Sequence, residues 1–435
     1  MKILYVCHRF PFPPRRGGKI RPFNMIRHLH KSHEVTVASL ARCPDEAEEA
    51  RGIAAHCTDF EIYTVRAPLQ VARMVVRLPT RVPSSIGYFH SRMLARRIDA
   101  LLTTRKFDLV FVHCSSVAHY VEGLRGIPKI LDFGDMDSQK WLEYARFKRF
   151  PLNAGYWLEG RKLLAEEKRL AGRFDFCTAT TRLEWETLDG YATGTPTDWF
   201  PNGVDSDYFS PSAEPYDPNL IAFVGRMDYY PNQQCMFEFC ADVWPSLRKR
   251  RPGLRLAIVG ADPAPAVRRL AQLPGVEVTG SVPDVRPWLR RSALTVAPLN
   301  IARGTQNKIL EAMSLGVPVV ASDLAAKGVD AVPGEHLLSA GTAPEYETAI
   351  VRILDDATER ARLSRAGRER MHTHHAWSRS MARLDAIIER CVDTYRAGRS
   401  RNEFSPSVTD VEATPMIDAP VRVDAPLRAD AAANR

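Results

Sequence analysis

A chain of 435 residues exceeds what one ordinary hydrophobic core supports, so two domains are expected. Its composition, 45% hydrophobic and 26% charged, is that of a soluble globular protein; no stretch approaches the ~20 consecutive apolar residues of a helical membrane span, which excludes that class. Net charge is +9 and uneven: between Arg66 and Lys106 there are nine basic residues and one acid, Asp99. The chain enters an apolar strand pattern directly after Met1, with no cleavable leader pattern. Eight cysteines without a CxxC pair point to buried thiols in a reducing cytoplasm rather than to disulfides or zinc.

In chain order, Lys2–Cys7 is a strand, followed by a Pro/Arg/Gly-rich loop and a helix from about Lys19 to Leu29. Glu34–Leu40, Asp59–Val65, Phe107–His113, Lys129–Phe133 and Phe174–Thr180 are further apolar strands. Helical patterns such as Ser91–Leu102 separate most of them. Such alternation predicts a parallel, doubly wound sheet. A hinge is expected near Pro201–Pro218, where Pro, Ser, Asp and Asn cluster. The pattern then restarts, with strands at Asn219–Gly225, Leu254–Gly260, Val276–Gly280, Leu294–Leu299 and Val317–Ser322. Helices are expected at Gln233–Lys249, Pro265–Leu273, Val285–Arg290 and Thr305–Ser314, then at Ala343–Leu354, Thr358–His372 and Ser378–Arg396. The predicted organisation is an α/β protein with one Rossmann-like domain over 1–205, a second over 206–375, a crossover helix in 376–398 and a disordered tail over 399–435.

Open α/β domains bind ligands at the C-terminal ends of their strands, and four motifs fall there. Pro13–Arg21 follows the first strand. Its Gly17 and Gly18 let a backbone approach a ligand, and the helix N-terminus beyond offers free N–H groups to an oxyanion. A Gly-Gly pair also serves plain turns, and the spacing is not that of a dinucleotide cofactor. At the end of the Lys129–Phe133 strand, Asp132, Asp135 and Asp137 crowd together. Asp132 and Asp135 are the candidates for chemistry, since carboxylates there can bond sugar hydroxyls, hold a metal or act as a base. Asp137 or Ser138 is expected to cap the next helix. Gly225 and Arg226 end a strand and suit a phosphate, which Arg binds bidentately. The longest motif, Pro298–Val320, sets Arg303, Gly304 and Thr305 in a loop before a helix carrying Lys308 and Glu311. That helix N-terminus, with Arg303 and Lys308, suits a diphosphate, and Glu311 can chelate a ribose. Taken singly, each motif has a plain alternative as a turn, a surface arginine or a solvated glutamate.

Together, KILEAMSLGVPVV (Lys308–Val320), FVGR (Phe223–Arg226), PNGVD (Pro201–Asp205), Val259-Gly260 and Thr279-Gly280 resemble the signature of family-4 retaining glycosyltransferases. The Gly17-Gly18 loop is similar to that family's first-domain loop, and the resemblance covers roughly residues 1–398. DFGDMDSQKW and RGTQNKILEAM look like a bacterial subgroup associated with exopolysaccharide and PEP-CTERM/exosortase loci. The resemblance implies the GT-B fold: two Rossmann-like domains facing a central cleft, with C-terminal helices crossing back to the first. It also implies retention of anomeric configuration, no cofactor or metal, and a nucleotide-diphosphate-sugar donor, UDP being the commonest carrier. By that likeness Glu311 holds the donor ribose, Arg226 neutralises the leaving diphosphate, and Gly17 and Gly18 approach the phosphates or sugar.

With the motif positions, the donor-binding candidates are Gly17, Gly18, Arg21, Gly225, Arg303, Gly304, Thr305, Lys308 and Glu311; the catalytic candidates are Asp135, Asp132 and Arg226. Three positions depart from the family pattern. Arg303 stands for the first of two glutamates, Asn232 for a lysine, and the first-domain histidine expected near Gly134–Asp135 is absent. Lys308 or Arg303 would then supply the missing charge, and Asp135 or Asp132 would replace the histidine.

The expected partners are the nucleotide sugar and a glycan or lipid-linked acceptor. In the basic segment, Val71, Met74, Val75 and Leu78 interleave with Arg73, Arg77 and Arg81, the pattern of a helix on an anionic membrane or of a solvated basic face. Nucleic acid is not expected, because no binding motif accompanies the charge. The location is then cytoplasmic, or peripheral on the inner face of the plasma membrane. Two other readings compete: an inactive scaffold of the same fold in polysaccharide assembly, and a nucleotide-sugar epimerase.

Overall fold

The computed structural model describes residues 1–14 and 17–403. Its first sheet has strands β1 (Lys2–Cys7), β2 (Glu34–Ala41), β3 (Asp59–Thr64), β4 (Leu109–His113), β5 (Lys129–Gly134), β6 (Phe176–Ala179) and β7 (Thr197–Trp199). The second has β8 (Asp217–Val224), β9 (Arg255–Val259), β10 (Val276–Gly280), β11 (Ser292–Ala297), β12 (Val319–Ser322) and β13 (Leu338–Ala340). The orders are β3-β2-β1-β4-β5-β6-β7 and β10-β9-β8-β11-β12-β13, and every neighbouring pair is parallel. Central strands such as β1 and β4 are buried almost end to end. That explains their unbroken apolar runs, since helices cover both faces of a doubly wound sheet.

The edge strands β7 and β13 were not expected. Three residues each, TDW and LSA, are too short to show a period. The helix expected over Gln233–Lys249 is two helices, Tyr230–Glu238 and Trp244–Arg250, joined by a π turn at Phe239–Val243. Pro245 has no N–H to offer the carbonyl four residues back, and its ring crowds that position; the wider turn relieves both.

The closing helix, Trp377–Glu403, returns to the first domain. Its Met381, Leu384, Ile387 and Ile388 are buried with Tyr5, Ile26 and Phe111. The chain crosses between domains twice, side by side. The Val204 N–H donates to the His375 carbonyl at 2.8 Å, and Val204 bridges Ala376. Gly203 lies so close to Trp377 that a Cβ would come within 2.7 Å of it. The segment expected to be a disordered tail begins inside this helix, and residues 404–435 lie outside the described residues.

Within the basic segment a helix forms over Ala67–Arg77, and it turns its apolar face away from the protein, the orientation of a membrane-surface helix rather than of a solvated basic face. Gln70 is buried, and Arg73 turns inward to the His90 carbonyl at 2.6 Å. Val71, Val75 and Val76 face outward.

Candidate functional site

Both sheets reverse their winding direction between two neighbouring strands, β1 and β4 in the first and β8 and β11 in the second. The C-terminal ends of such pairs are where doubly wound domains hold ligands. In the first domain these ends carry His8 and His113, with β5 adding Asp132 beside His113 in register. In the second they carry Gly225 and the loop that leads to the Asn307–Ser314 helix.

Asp132 is completely buried and holds four hydrogen bonds. Arg21 donates twice (Nε at 2.9 Å, Nη2 at 3.0 Å), Thr178 Oγ1 donates at 2.9 Å, and His113 Nδ1 lies at 2.7 Å. Burial alone would raise the Asp132 carboxyl, but the Arg21 guanidinium, then His113, hold it far below the usual carboxylate range. A carboxylate with both oxygens occupied and so low an affinity for protons is no base. Asp132, expected among the catalytic residues, therefore acts by fixing His113 and Arg21.

Arg21, expected to bind donor, is likewise spent on protein. Besides Asp132 it donates to the Phe200 carbonyl at 2.8 Å and to Asn202 Oδ1 at 3.3 Å, and its plane lies 3.7 Å above the Phe200 ring centre. Asn202 then donates to Asn307 Oδ1 at 3.3 Å. One hydrogen-bonded chain thus runs from His113 through Asp132, Arg21 and Asn202 to the first residue of a second-domain helix.

The other first-domain candidates sit against that same helix and its loop. Gly17 and Gly18 lie in the first turn of the Gly17–Leu29 helix. A Cβ on Gly17 would stand 3.7 Å from Asn307 Nδ2, and one on Gly18 would meet nothing. The Asp135 carboxylate packs directly on Gly304, where a Cβ would collide with it; Gly304 also has φ +68°, a left-handed conformation that favours glycine. Burial raises the Asp135 carboxyl above the usual range. The next helix, Asp137–Phe147, is capped by neither Asp137 nor Ser138. Glu184 accepts from the Met136 N–H at 2.8 Å and Glu167 from the Ser138 N–H at 2.8 Å, both from elsewhere in the fold.

In the second domain, Lys308 Nζ donates to Asn232 Oδ1 at 2.7 Å and sits 4.3 Å from the Phe223 ring centre. A Cβ on Gly225 would come within 3.0 Å of that ammonium and 2.7 Å of the Asn232 amide. Lys308 thus brings a cation to Asn232, the position where the family pattern has a lysine. Burial lowers the Lys308 ammonium to about 8 and raises the Glu311 carboxyl to about 7, and the two charges oppose that drift in each other. Gln306, the residue before the helix, places no side-chain cap over its N-terminus, and Thr305 Oγ1 is buried with no hydrogen-bond partner.

Arg303 reaches the other way, with Nε 2.6 Å from Glu143 Oε1 and Nη1 3.6 Å from Glu184 Oε1, both on the first domain. Burial, reinforced by Asp135, raises the Glu184 carboxyl to about 8. Arg226 is held by Asp228 (2.6 Å) and Asp262 (2.6 Å), at the rim.

The structure thus joins Gly17, Asp135, Gly304 and the Asn307–Ser314 helix, and groups Gly225, Lys308 and Glu311 beside them. Arg21 and Asp132 stand behind, and Arg226 is engaged elsewhere. His113, Asn202, Glu143 and Glu184 were missed. His113 left a sign as the last residue of a predicted strand, and Asn202 as part of the PNGVD motif; Glu143 and Glu184 left none. Among the described residues no group of three or more His, Cys, Asp or Glu is placed to hold a metal ion, and no helix is long and apolar enough to cross a membrane.

Residues 218–356, the heart of the second domain, match the family Glycosyl transferases group 1. Phosphatidyl-myo-inositol mannosyltransferase of Propionibacterium freudenreichii subsp. shermanii is 30% identical over 144 residues, 32% of this chain and 35% of that protein. The Mycobacterium leprae protein of that name is 27% identical over 232 residues, 51% of this chain and 60% of its own length. The chain therefore spans between about a third and three-fifths of these curated relatives. Among solved structures, sucrose-phosphate synthase from Thermosynechococcus elongatus superposes with a TM-score of 0.69 at 17% identity, covering 91% of this chain and all of its own. Anabaena HepE in complex with UDP-glucose gives 0.63 at 14% identity, covering 89% and 99%. These likenesses agree with the two parallel-sheet, Rossmann-like domains, and the architecture is GT-B.

Proposed function

We propose that the chain is a retaining glycosyltransferase that moves a sugar from a UDP-linked donor to a lipid-linked or polysaccharide acceptor in bacterial exopolysaccharide synthesis. The observation that carries this reading is the pair Lys308 and Glu311, half-buried one turn apart on a helix whose uncapped N-terminus lies beside Gly17. A diphosphate there meets an ammonium, the first-turn N–H groups and Gly18, which has open space beside it. Glu311 has the carboxylate needed to chelate a ribose. Lys308 takes the charge-neutralising role expected of Arg226, which Asp228 and Asp262 already occupy. Asp135, against Gly304, is the carboxylate at the loop, and Asp132 serves as a positioning residue for His113. Retention needs no strong base in the first domain, because leaving-group stabilisation and alignment lower the barrier. UDP-glucose in HepE supports the donor class, and the lipid named in the curated relatives supports a lipid-borne acceptor. The basic stretch Arg66–Lys106 would hold the protein on the inner, anionic membrane face.

One observation favours a second reading, an inactive scaffold: Arg303 occupies the donor loop and is locked to Glu143 and Glu184. Calorimetric titration with UDP, GDP and ADP, with and without magnesium, separates the two. Binding of UDP that is independent of magnesium is the expected result. If none of the three binds, the scaffold reading takes its place.

A further inference from the structure

We infer that the tip between the Asp137–Phe147 and Leu152–Ala171 helices joins the Ala67–Arg77 helix in one surface that inserts apolar side chains into an anionic lipid bilayer. This rests on the membrane reading above and extends it from charge attraction to insertion.

The Ala67–Arg77 helix is inside out. Its polar Gln70 and Arg73 face the protein, and Val71, Val75 and Val76 face outward, Val76 at 72% exposure. A helix in water would gain by the opposite orientation. At the neighbouring tip Phe150 is 82% exposed, Leu152 62% and Trp157 55%. Of sixteen exposed large apolar side chains among the described residues, seven lie between Leu69 and Met93 and five between Phe147 and Leu158. So tight a concentration marks an interaction surface rather than ordinary scatter.

The two elements are tied together. Lys162 Nζ donates to the carbonyls of Arg77 at 3.1 Å and Leu78 at 2.7 Å, and the Ser85 N–H donates to Glu159 Oε1 at 2.9 Å. Charge selects the occupant. Residues 66–93 and 144–165 hold ten Lys or Arg and a single acid, Glu159, which is buried. Exposed Arg66, Arg81, Arg146, Arg149 and Arg161 rim the apolar patch. That pairing of apolar surface with a cationic rim matches the boundary between acyl chains and anionic headgroups. Two copies of this face would set their basic rims against each other.

The tip also lies beside the site. Tyr144 donates to the Tyr229 hydroxyl at 3.1 Å, and Tyr230 donates to the Phe147 carbonyl at 3.4 Å, just past Arg226. An acceptor headgroup could then reach the second domain while its chains stay in the bilayer.

The test uses the full chain with vesicles of phosphatidylcholine, alone or with phosphatidylglycerol, some carrying brominated acyl chains. Binding to the anionic vesicles is expected, with bromine quenching of tryptophan emission that Trp157→Phe largely removes. Phe150→Ser with Leu152→Ser should weaken vesicle affinity by about tenfold or more, with UDP binding and thermal midpoint unchanged. Vesicle binding without quenching, and indifferent to these substitutions, overturns insertion and leaves simple adsorption standing. Absence of vesicle binding at low salt overturns both the insertion and the membrane reading. A dimer of the native chain that Phe150→Ser dissociates assigns the patch to a second copy and overturns the proposal.

Discussion

In the first domain the charges of the Asp132–Arg21 network are already paired: Asp132 answers Arg21 and His113, and Arg21 answers Phe200 and Asn202 as well. In the second domain, Lys308 and Glu311 are drawn toward neutrality by burial, Lys308 to about 8 and Glu311 to about 7. The same architecture thus does two jobs. A saturated network fixes geometry and has nothing left to offer a ligand. A pair of under-compensated charges costs stability in the empty protein, and a ligand of matching charge relieves that cost.

The largest effect should come from breaking the saturated half. Asp132→Ala leaves the buried Arg21 guanidinium without its counter-charge, and such losses run to about 3–5 kcal/mol. Urea unfolding should show a large drop in midpoint. A midpoint unchanged from the native chain would mean the network is not what holds this domain's site together.

The second-domain pair should respond in the opposite sense. Lys308→Ala and Glu311→Ala are each expected to weaken UDP binding by about tenfold to a hundredfold, or about 1.4–2.8 kcal/mol, while the unfolding midpoint holds or rises. If either variant unfolds as readily as Asp132→Ala, the contrast between the two halves is wrong.

A smaller and sharper effect lies in the pH dependence. As pH falls through about 7, Glu311 takes up a proton and loses its hold on the ribose; as pH rises through about 8, Lys308 gives one up and loses its hold on the diphosphate. UDP affinity should therefore peak between these values. Lys308→Arg, which keeps its charge, should flatten the alkaline limb alone. Affinity that does not vary across this range would detach both residues from nucleotide binding.

What the sequence made legible follows from what a local pattern reports. Apolar runs mark strands buried on both faces, so the strands came within a few residues and the motifs at their ends came with them. The returning helix was legible too, as a period of buried positions after Trp377. Choice of partner across the chain left no such trace. Arg21 and Asp132 are 111 residues apart and Arg303 and Glu143 160 apart; nothing local says that these charges meet. For the same reason Asp132 could be placed at a strand end but not recognised as saturated. The inverted helix at Ala67–Arg77 is a related case, since its amphipathic period is visible and the face it buries is set by His90 and Lys162, well outside it. Asn232 was noted as a departure from the family pattern, and in the folded chain it accepts a hydrogen bond from Lys308, 76 residues away.

The double crossing at Val204 and His375 has a consequence for the order in which the protein can be made. Tyr5, Ile26 and Phe111 share a core with Met381, Leu384, Ile387 and Ile388, so the first domain to leave the ribosome is the last to be finished. Folding of successive domains from the N-terminus, the common course during synthesis, has to pause here with one apolar face uncovered while the whole second domain emerges and closes. For engineering, the second domain is an insert: a chimera would exchange residues 206–375 from the middle of the chain and leave both ends with the native first domain.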